Sequence, residues 1–184
     1  MRYRRLPVEA WFFASGGGRF DLSKPHGSCY LATELETAVR ERIGVVMTRS
    51  SMLPESQMHA MEAVALHAPE TVTLANTGDK AAADWGAIRE LGAGAVGSYE
   101  KSARWATAFK AAGFGGVLYE SRFSSVTRAT AIALFGTAGT KPWPEGERLT
   151  GQEAFEQTGL LRFVAAIPTS RSVSVINPPP RRQA

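Results

Sequence analysis

Four polar side chains in two stretches of the chain have the chemistry needed to bind a phosphorylated, ribose-containing small molecule. Three lie in the first stretch: Arg19 follows three glycines, Tyr30 stands in a short apolar run, and Glu41 belongs to a helical pattern. The fourth is Ser121, in a second stretch rich in glycine and aromatic residues. Together they indicate a pocket built from two separate parts of the sequence.

Each of these residue types is suited to one part of such a ligand. An arginine beside a glycine-rich bend can present a bidentate guanidinium to a diphosphate, and Tyr30 offers a flat ring for stacking a nicotinamide or a base. Glu41 can bond ribose hydroxyls and stabilise positive charge at the anomeric carbon when nicotinamide leaves, and Ser121 can bind phosphate or ribose. Each also has an ordinary explanation: a surface arginine, a core tyrosine, a helix-face glutamate and a loop serine.

Other combinations of reactive residues fit catalytic or metal sites poorly. His59, Glu62 and His67 are near one another in sequence but match no zinc spacing, and no cysteine or histidine cluster lies elsewhere in the sequence. Cys29 and His26 could act as nucleophile and base, but a small buried cysteine in a strand is the better interpretation. The sequence therefore predicts no metal site.

Composition is that of a globular protein. At 184 residues, with 44% hydrophobic and 21% charged residues, the chain can bury the core of one domain. Its single cysteine cannot form an internal disulfide, which fits a reducing compartment. The apolar stretch near the N-terminus is only a few residues long, whereas a membrane span needs roughly 20 apolar residues. We therefore expect a cytoplasmic protein that does not contact the membrane.

The net charge of +4 arises largely near the chain ends. Arg2, Arg4 and Arg5 lie near one end, and Arg181 and Arg182 near the other. Terminal basic groups of this kind are usually solubilising, and no interior basic run accompanies them. We therefore expect no direct contact with nucleic acid, and a non-catalytic nucleic-acid-binding module is the least favoured interpretation.

Short strands mixed irregularly with helices predict an α+β domain in which small sheets are flanked by helices. A helix capped by Thr33 should end at Gly44, because glycine is a common helix stop. The other predicted elements are strands at Cys29–Ala32, Val45–Thr48, Thr71–Ala75, Gly116–Tyr119, Ala131–Phe135, Leu160–Ala166 and Ser172–Ile176, helices at 54–67, 81–91 and 99–112, a loop at 136–148, and a short helix after that loop.

The order of several short motifs resembles one family. GGRFD, then GSCYLATELETAVRE, then WATAFKAAGFGGVLYESRF with IALFG resembles the RES domain, which is named for its Arg, Glu and Ser. The resemblance covers roughly residues 10 to 136, and a looser match follows in the C-terminal strands. It places the family arginine on Arg19, the aromatic on Tyr30, the glutamate on Glu41 and the serine on Ser121.

The resemblance leaves two points open. Glu34 and Glu36 precede Glu41 on the same predicted helix, so either of them could be the active carboxylate. Many members of the family carry a small polar residue such as asparagine shortly before the A-L-F strand, where this chain has Ala131. The resemblance therefore does not extend to any contact made by that polar side chain.

The resemblance also implies a fold, a reaction and a partner. The fold is similar to that of ADP-ribosyltransferases. We assign the domain to residues 1–176, and the basic sequence of residues 177–184 itself predicts a disordered tail. The substrate is NAD, held in a cleft between small sheets, and the acceptor of its ADP-ribose is water, phosphate or a protein side chain. The chain would be the toxin of a bacterial toxin–antitoxin pair, inhibited by an Xre-type antitoxin. Whether it also forms a homodimer is left open.

Overall fold

Helices and strands alternate irregularly along the chain in the computed structural model, which describes residues 1–6, 8–68, 71–86, 90–93, 99–124 and 129–165. The architecture is α+β, with small sheets flanked by helices, as predicted. The strands are β1 Arg2–Arg5, β2 Phe12–Phe13, β3 His26–Ala32, β4 Leu53–Pro54, β5 Met61–Leu66, β6 Leu74–Asn76, β7 Gly116–Glu120, β8 Thr130–Thr137, β9 Gly139–Thr140, β10 Glu145–Thr150 and β11 Val164–Ala165. The helices are α1 Leu35–Ser50, α2 Glu55–His59, α3 Lys80–Asp84, α4 Glu90–Ala93, α5 Glu100–Ala111 and α6 Gly151–Gln157, with a 3-10 turn at Leu161–Phe163.

The larger sheet has the strand order β3-β8-β7-β6, in which β8 is antiparallel to both of its neighbours. Tyr30 on β3 lies opposite Ala133 on β8, and Tyr119 on β7 lies opposite Ala131. Because side chains two residues apart on a strand share a face, both tyrosines lie on one face of the sheet. The two alanines between them are small, so the face has a shallow trough there.

The smaller sheet, β1-β5-β10, is held together partly by ion pairs. Arg4, only 6% exposed, donates from Nε to Glu62 Oε1 at 2.7 Å. Arg148 bonds the same carboxylate oxygen at 3.3 Å, and Glu145 approaches Arg4 at 3.9 Å. A buried guanidinium therefore has its charge balanced by carboxylates from the neighbouring strands.

Helix α1 packs between the two sheets and is longer than the sequence predicts. It starts after Glu34 instead of Thr33 and continues through Gly44 to Ser50, so the predicted strand Val45–Thr48 is wrong. A Cβ at Gly44 would collide with the ring of Phe123, so this glycine serves close packing and does not end the helix. The lower helix propensity of glycine is offset by this contact.

Strand β5 was also misassigned from the sequence, which predicts a helix through His67. The helix ends at His59, and Met61, Ala63 and Val64 of the following strand are all buried. As the central strand of its sheet, β5 is covered on both faces and lacks the polar–apolar alternation typical of a strand.

The other predicted helices and strands agree with the structure only in part. Strands β3, β7 and β8 and helices α5 and α6 confirm predicted elements. The predicted strand Thr71–Ala75 lies further along the chain, at Leu74–Asn76, and the predicted loop at 136–148 contains β9 and the start of β10. The predicted helix at 81–91 is divided between α3 and α4, with residues 87–89 outside the described part. The predicted strand Ser172–Ile176 and the basic tail also lie outside the described residues.

Candidate active site

The glycine-rich loop is folded around the carboxylate of Asp21, which is 4% exposed. Asp21 Oδ2 accepts the backbone N–H groups of Gly17 at 2.9 Å and Gly18 at 2.7 Å. Tyr30 donates its hydroxyl to Asp21 Oδ1 at 2.9 Å and accepts the N–H of Phe20 at the same distance. A Cβ at Gly18 would lie 2.5 Å from the tyrosine hydroxyl, so only glycine fits. The loop is thereby fixed to strand β3.

Arg19 lies within this fixed loop, between Gly18 and Phe20. Its guanidinium carbon is 5.3 Å from the centre of the Tyr99 ring, a cation–π distance. The ring of the next residue, Phe20, packs against Tyr119 with centroids 5.0 Å apart. The arginine is therefore held on the tyrosine-bearing face of the larger sheet.

Glu41 lines a cavity of about 340 Å³ together with Tyr30 and Tyr119. Burial, and then the negative charge of Glu41, raise the pKa of Tyr119, while the positive charge of Arg19 acts in the opposite direction. Both charged groups are thus within electrostatic reach of the same phenol. The sequence-predicted tyrosine and glutamate therefore line one cavity with Tyr119, and the charge of Arg19 acts on the same phenol.

The two competing glutamates have other surroundings. Glu34 is exposed and precedes the first turn of α1, and Glu36 forms an ion pair with Arg40 at 2.6 Å. Neither of them is among the described residues that line the cavity. The geometry favours Glu41 as the carboxylate of the site.

Ser121 directly follows strand β7 and is buried, with 7% of its surface exposed. Its N–H donates to Ala129 O at 2.7 Å, and its Oγ accepts the N–H of Phe123 at 3.2 Å. Along the strand it is two residues beyond Tyr119. Within the described part of the chain, neither Ser121 nor Arg19 lines the cavity that contains Glu41.

A family model of the RES domain matches residues 2–150. The chain belongs to the RES domain family. Its fold is similar to that of a chain in the crystal structure of the M. tuberculosis MbcT–MbcA toxin–antitoxin complex, with a TM-score of 0.55 and 16% identity over 86% of this chain and 87% of that chain. No curated protein matches the sequence.

Sequence reasoning missed two residues that shape the site of this RES domain. Tyr119 ends the predicted strand Gly116–Tyr119 and precedes Ser121 by two residues, a spacing that was a signal that the two side chains share a face. Asp21 follows a glycine-rich bend, where a short carboxylate side chain often bonds nearby backbone N–H groups. That pattern was a signal for its role in the loop.

Tyr30 has a hydroxyl that is committed to the loop and a ring that lines the cavity. Burial first, and then the charge of Asp21, raise the pKa of Tyr30, so the phenol stays neutral and remains a donor. The ring face is the part of the side chain left for a ligand. Stacking on nicotinamide stays a prediction.

The described residues offer neither a cluster of metal ligands nor a membrane-spanning helix. They contain no group of three or more His, Cys, Asp or Glu that could hold a metal ion. The thiol of Cys29 is fully buried, and burial raises its pKa, which disfavours the nucleophilic thiolate. No described helix has the length and apolar character needed to span a membrane.

Proposed function

We propose that this RES domain cleaves the nicotinamide–ribose bond of NAD and acts as a toxin. The observation that carries the proposal is the position of Glu41, which lines a cavity together with the Tyr30 ring, while Arg19 and Glu41 both act on Tyr119. An aromatic ring can stack on the cationic nicotinamide, a carboxylate can bind the ribose, and an arginine can bind the diphosphate.

The proposed reaction begins with heterolytic cleavage of the bond between the ribose anomeric carbon and the nicotinamide nitrogen. The bonding electrons leave with nicotinamide, which becomes neutral, and positive charge develops on the ribose. Glu41 stabilises this charge and orients the ribose hydroxyls, Tyr30 stacks on the nicotinamide, and Arg19 holds the diphosphate. Ser121, which directly follows the strand that carries Tyr119, would complete the cleft. Water then adds to the anomeric carbon and loses a proton, which gives ADP-ribose, or phosphate adds in its place.

An antitoxin is the proposed partner. The structure with a similar fold is described as a toxin–antitoxin complex, and the RES resemblance implies an Xre-type antitoxin in the cytoplasm. A partner that covers the cavity around Glu41 would exclude NAD and prevent the reaction. Co-expression with a candidate antitoxin and purification of a complex that no longer consumes NAD would support this assignment.

The first experiment is incubation of the purified protein with NAD, with and without inorganic phosphate, followed by chromatography of the products. Release of nicotinamide supports the reaction class, and dependence on phosphate selects phosphorolysis over hydrolysis. No release in either buffer contradicts a self-sufficient hydrolase or phosphorylase. Labelled NAD in cell lysate would then reveal a mono-ADP-ribosyltransferase as a labelled protein band.

A non-catalytic role would give a different result. Binding to nucleic acid would weaken steeply with salt, because bound phosphates release counterions, and no nicotinamide would appear with or without lysate. That outcome would refute the proposed reaction as a whole.

A further inference from the structure

Three arginines line the same cavity as Glu41, and two of them lack a salt-bridge partner among the described residues. Ala38, Glu41 and Arg42 are spaced three and four residues apart on α1, so they share one face of the helix, and all three line the cavity. Arg2 on β1 lines it as well. In the part of the chain that the structure describes, neither Arg2 nor Arg42 has a salt-bridge partner, whereas Arg4 on β1 is paired with Glu62.

Arg2 is held in place by the backbone around it. Its Nη1 donates to the carbonyl oxygens of Ala10 and Phe12, the latter at 3.1 Å, and lies 3.0 Å from Cys29 Sγ. Such contacts fix the guanidinium without neutralising its charge. The arginine is therefore positioned in advance, at little further cost in side-chain entropy when a ligand binds.

Arg2 and Arg42 line one cavity, so their like charges oppose each other there. Burial is the largest cause that lowers the pKa of Arg2, and the positive charges of Arg4 and Arg42 lower it further, against the opposite effect of Cys29. Like charges gathered at a concave surface are stabilised by a bound anion. Among the described residues Glu41 forms no ion pair with Arg2 or Arg42, which leaves both guanidinium groups to a ligand.

We infer that Arg2 and Arg42 form an anion subsite that binds a phosphate group beside Glu41. The inference rests on the proposed function, in which a ribose occupies the Glu41 end of the cavity. A phosphate attached to that ribose would extend along the same face of α1 towards Arg42. The subsite supplements Arg19, which is not among the described residues that line the cavity. The phosphate belongs either to the dinucleotide or to free orthophosphate.

The test compares Arg42→Gln with Arg49→Gln on three substrates. Arg42 is exposed, so its replacement should leave the fold intact, and Arg49 is an exposed arginine two turns further along α1, outside the cavity. Arg42→Gln should raise the KM for NAD and nicotinamide mononucleotide by about tenfold, the usual size for one charge-assisted contact, with little change in kcat. Nicotinamide riboside has no phosphate, so its KM should not change. Arg49→Gln should match the wild type throughout.

A second series varies orthophosphate at fixed NAD. If Arg42→Gln changes only the orthophosphate dependence, the subsite binds the free ion. If neither this dependence nor the KM of the phosphate-bearing substrates changes while the wild-type protein cleaves NAD, the subsite is refuted. If the wild-type protein cleaves no substrate, the proposed function fails on its own. Calorimetric titration of the wild type and of Arg42→Gln with ADP-ribose and orthophosphate then tests the subsite. Equal affinity of the two proteins for each ligand would refute it.

Discussion

Phe123 packs its ring against the backbone of Gly44, in the middle of α1. A Cβ at residue 44 would meet three carbon atoms of that ring. The backbone N–H of Phe123 bonds Ser121 Oγ at 3.2 Å, and Gly44 lies one turn beyond Glu41 on the helix. This contact therefore joins the loop after β7 to the helix that carries the proposed catalytic glutamate.

Replacing Gly44 with alanine tests that connection. On helix propensity alone, the change should stabilise α1 by about 1 kcal/mol. We expect a net loss of about 1–3 kcal/mol in the free energy of unfolding instead, because the new methyl group displaces the Phe123 ring. NAD turnover should fall as well, since the loop of Ser121 moves relative to Glu41. Chemical denaturation and a nicotinamide-release assay measure the two effects.

A double-mutant cycle supplies the control for this prediction. In a Phe123→Ala background the ring is absent, so Gly44→Ala should become neutral or stabilising. If the substitution destabilised both backgrounds equally, the cost would have a different origin from the Phe123 contact.

The hydroxyl of Tyr30 should contribute more to stability than that of Tyr3. Tyr30 bonds both Asp21 and the N–H of Phe20, whereas in the described structure the buried hydroxyl of Tyr3 has no hydrogen-bond partner. Tyr30→Phe should therefore lower the free energy of unfolding by about 1–3 kcal/mol, and Tyr3→Phe should leave it unchanged or raise it. Urea denaturation of the two variants gives the comparison. Equal losses would contradict the role assigned to the Tyr30 hydroxyl in holding the loop.

Stability should fall at alkaline pH because of two buried tyrosines, Tyr3 and Tyr119, and the partly buried Tyr30. Burial is the main cause that raises the pKa of Tyr3, Tyr30 and Tyr119 in the folded protein. Their unfolded pKa is about 10, so the unfolded state loses protons first as the pH rises. The contribution of each tyrosine to the free energy of unfolding should be constant below about pH 9 and then decline by as much as about 1.4 kcal/mol per pH unit. The decline should be shallower in Tyr3→Phe, and an unchanged slope would exclude Tyr3 as a contributor.

Local signals in the sequence were sufficient for part of this fold. The strand that carries Tyr30 and the helix that follows it were predicted, because short apolar runs and helical spacing are properties of neighbouring residues. The full length of α1 was not predicted, because the role of Gly44 depends on Phe123, which is distant in sequence. Strand β5 was missed for a similar reason, since burial of its side chains depends on helices α1, α2 and α6, which are separate elements of the chain.

The candidate site shows the same division between local and long-range information. The order of the motifs assigned Arg19, Tyr30 and Glu41 to one site. In the structure Tyr30 and Glu41 line a cavity with Tyr119, and the charge of Arg19 acts on that tyrosine. The role of Asp21 in holding the loop depends on the hydrogen bond from Tyr30 on β3. The presence of Arg2 and Arg42 in one cavity depends on the packing of β1 against α1. Contacts of this kind cannot be read from spacing along the sequence.

Three glutamates near the start of α1 give a direct test of the catalytic assignment. Glu41→Gln keeps the size of the side chain but removes the charge that would stabilise the developing cation. NAD turnover should fall by about 10² to 10³, the usual cost of one electrostatic contact to a transition state, with an unchanged free energy of unfolding. Glu34→Gln and Glu36→Gln are the matched controls, because Glu34 is exposed and Glu36 is paired with Arg40. Both should retain turnover within about threefold of the wild type. Wild-type activity in Glu41→Gln, or its loss in one of the other two, would transfer the role away from Glu41.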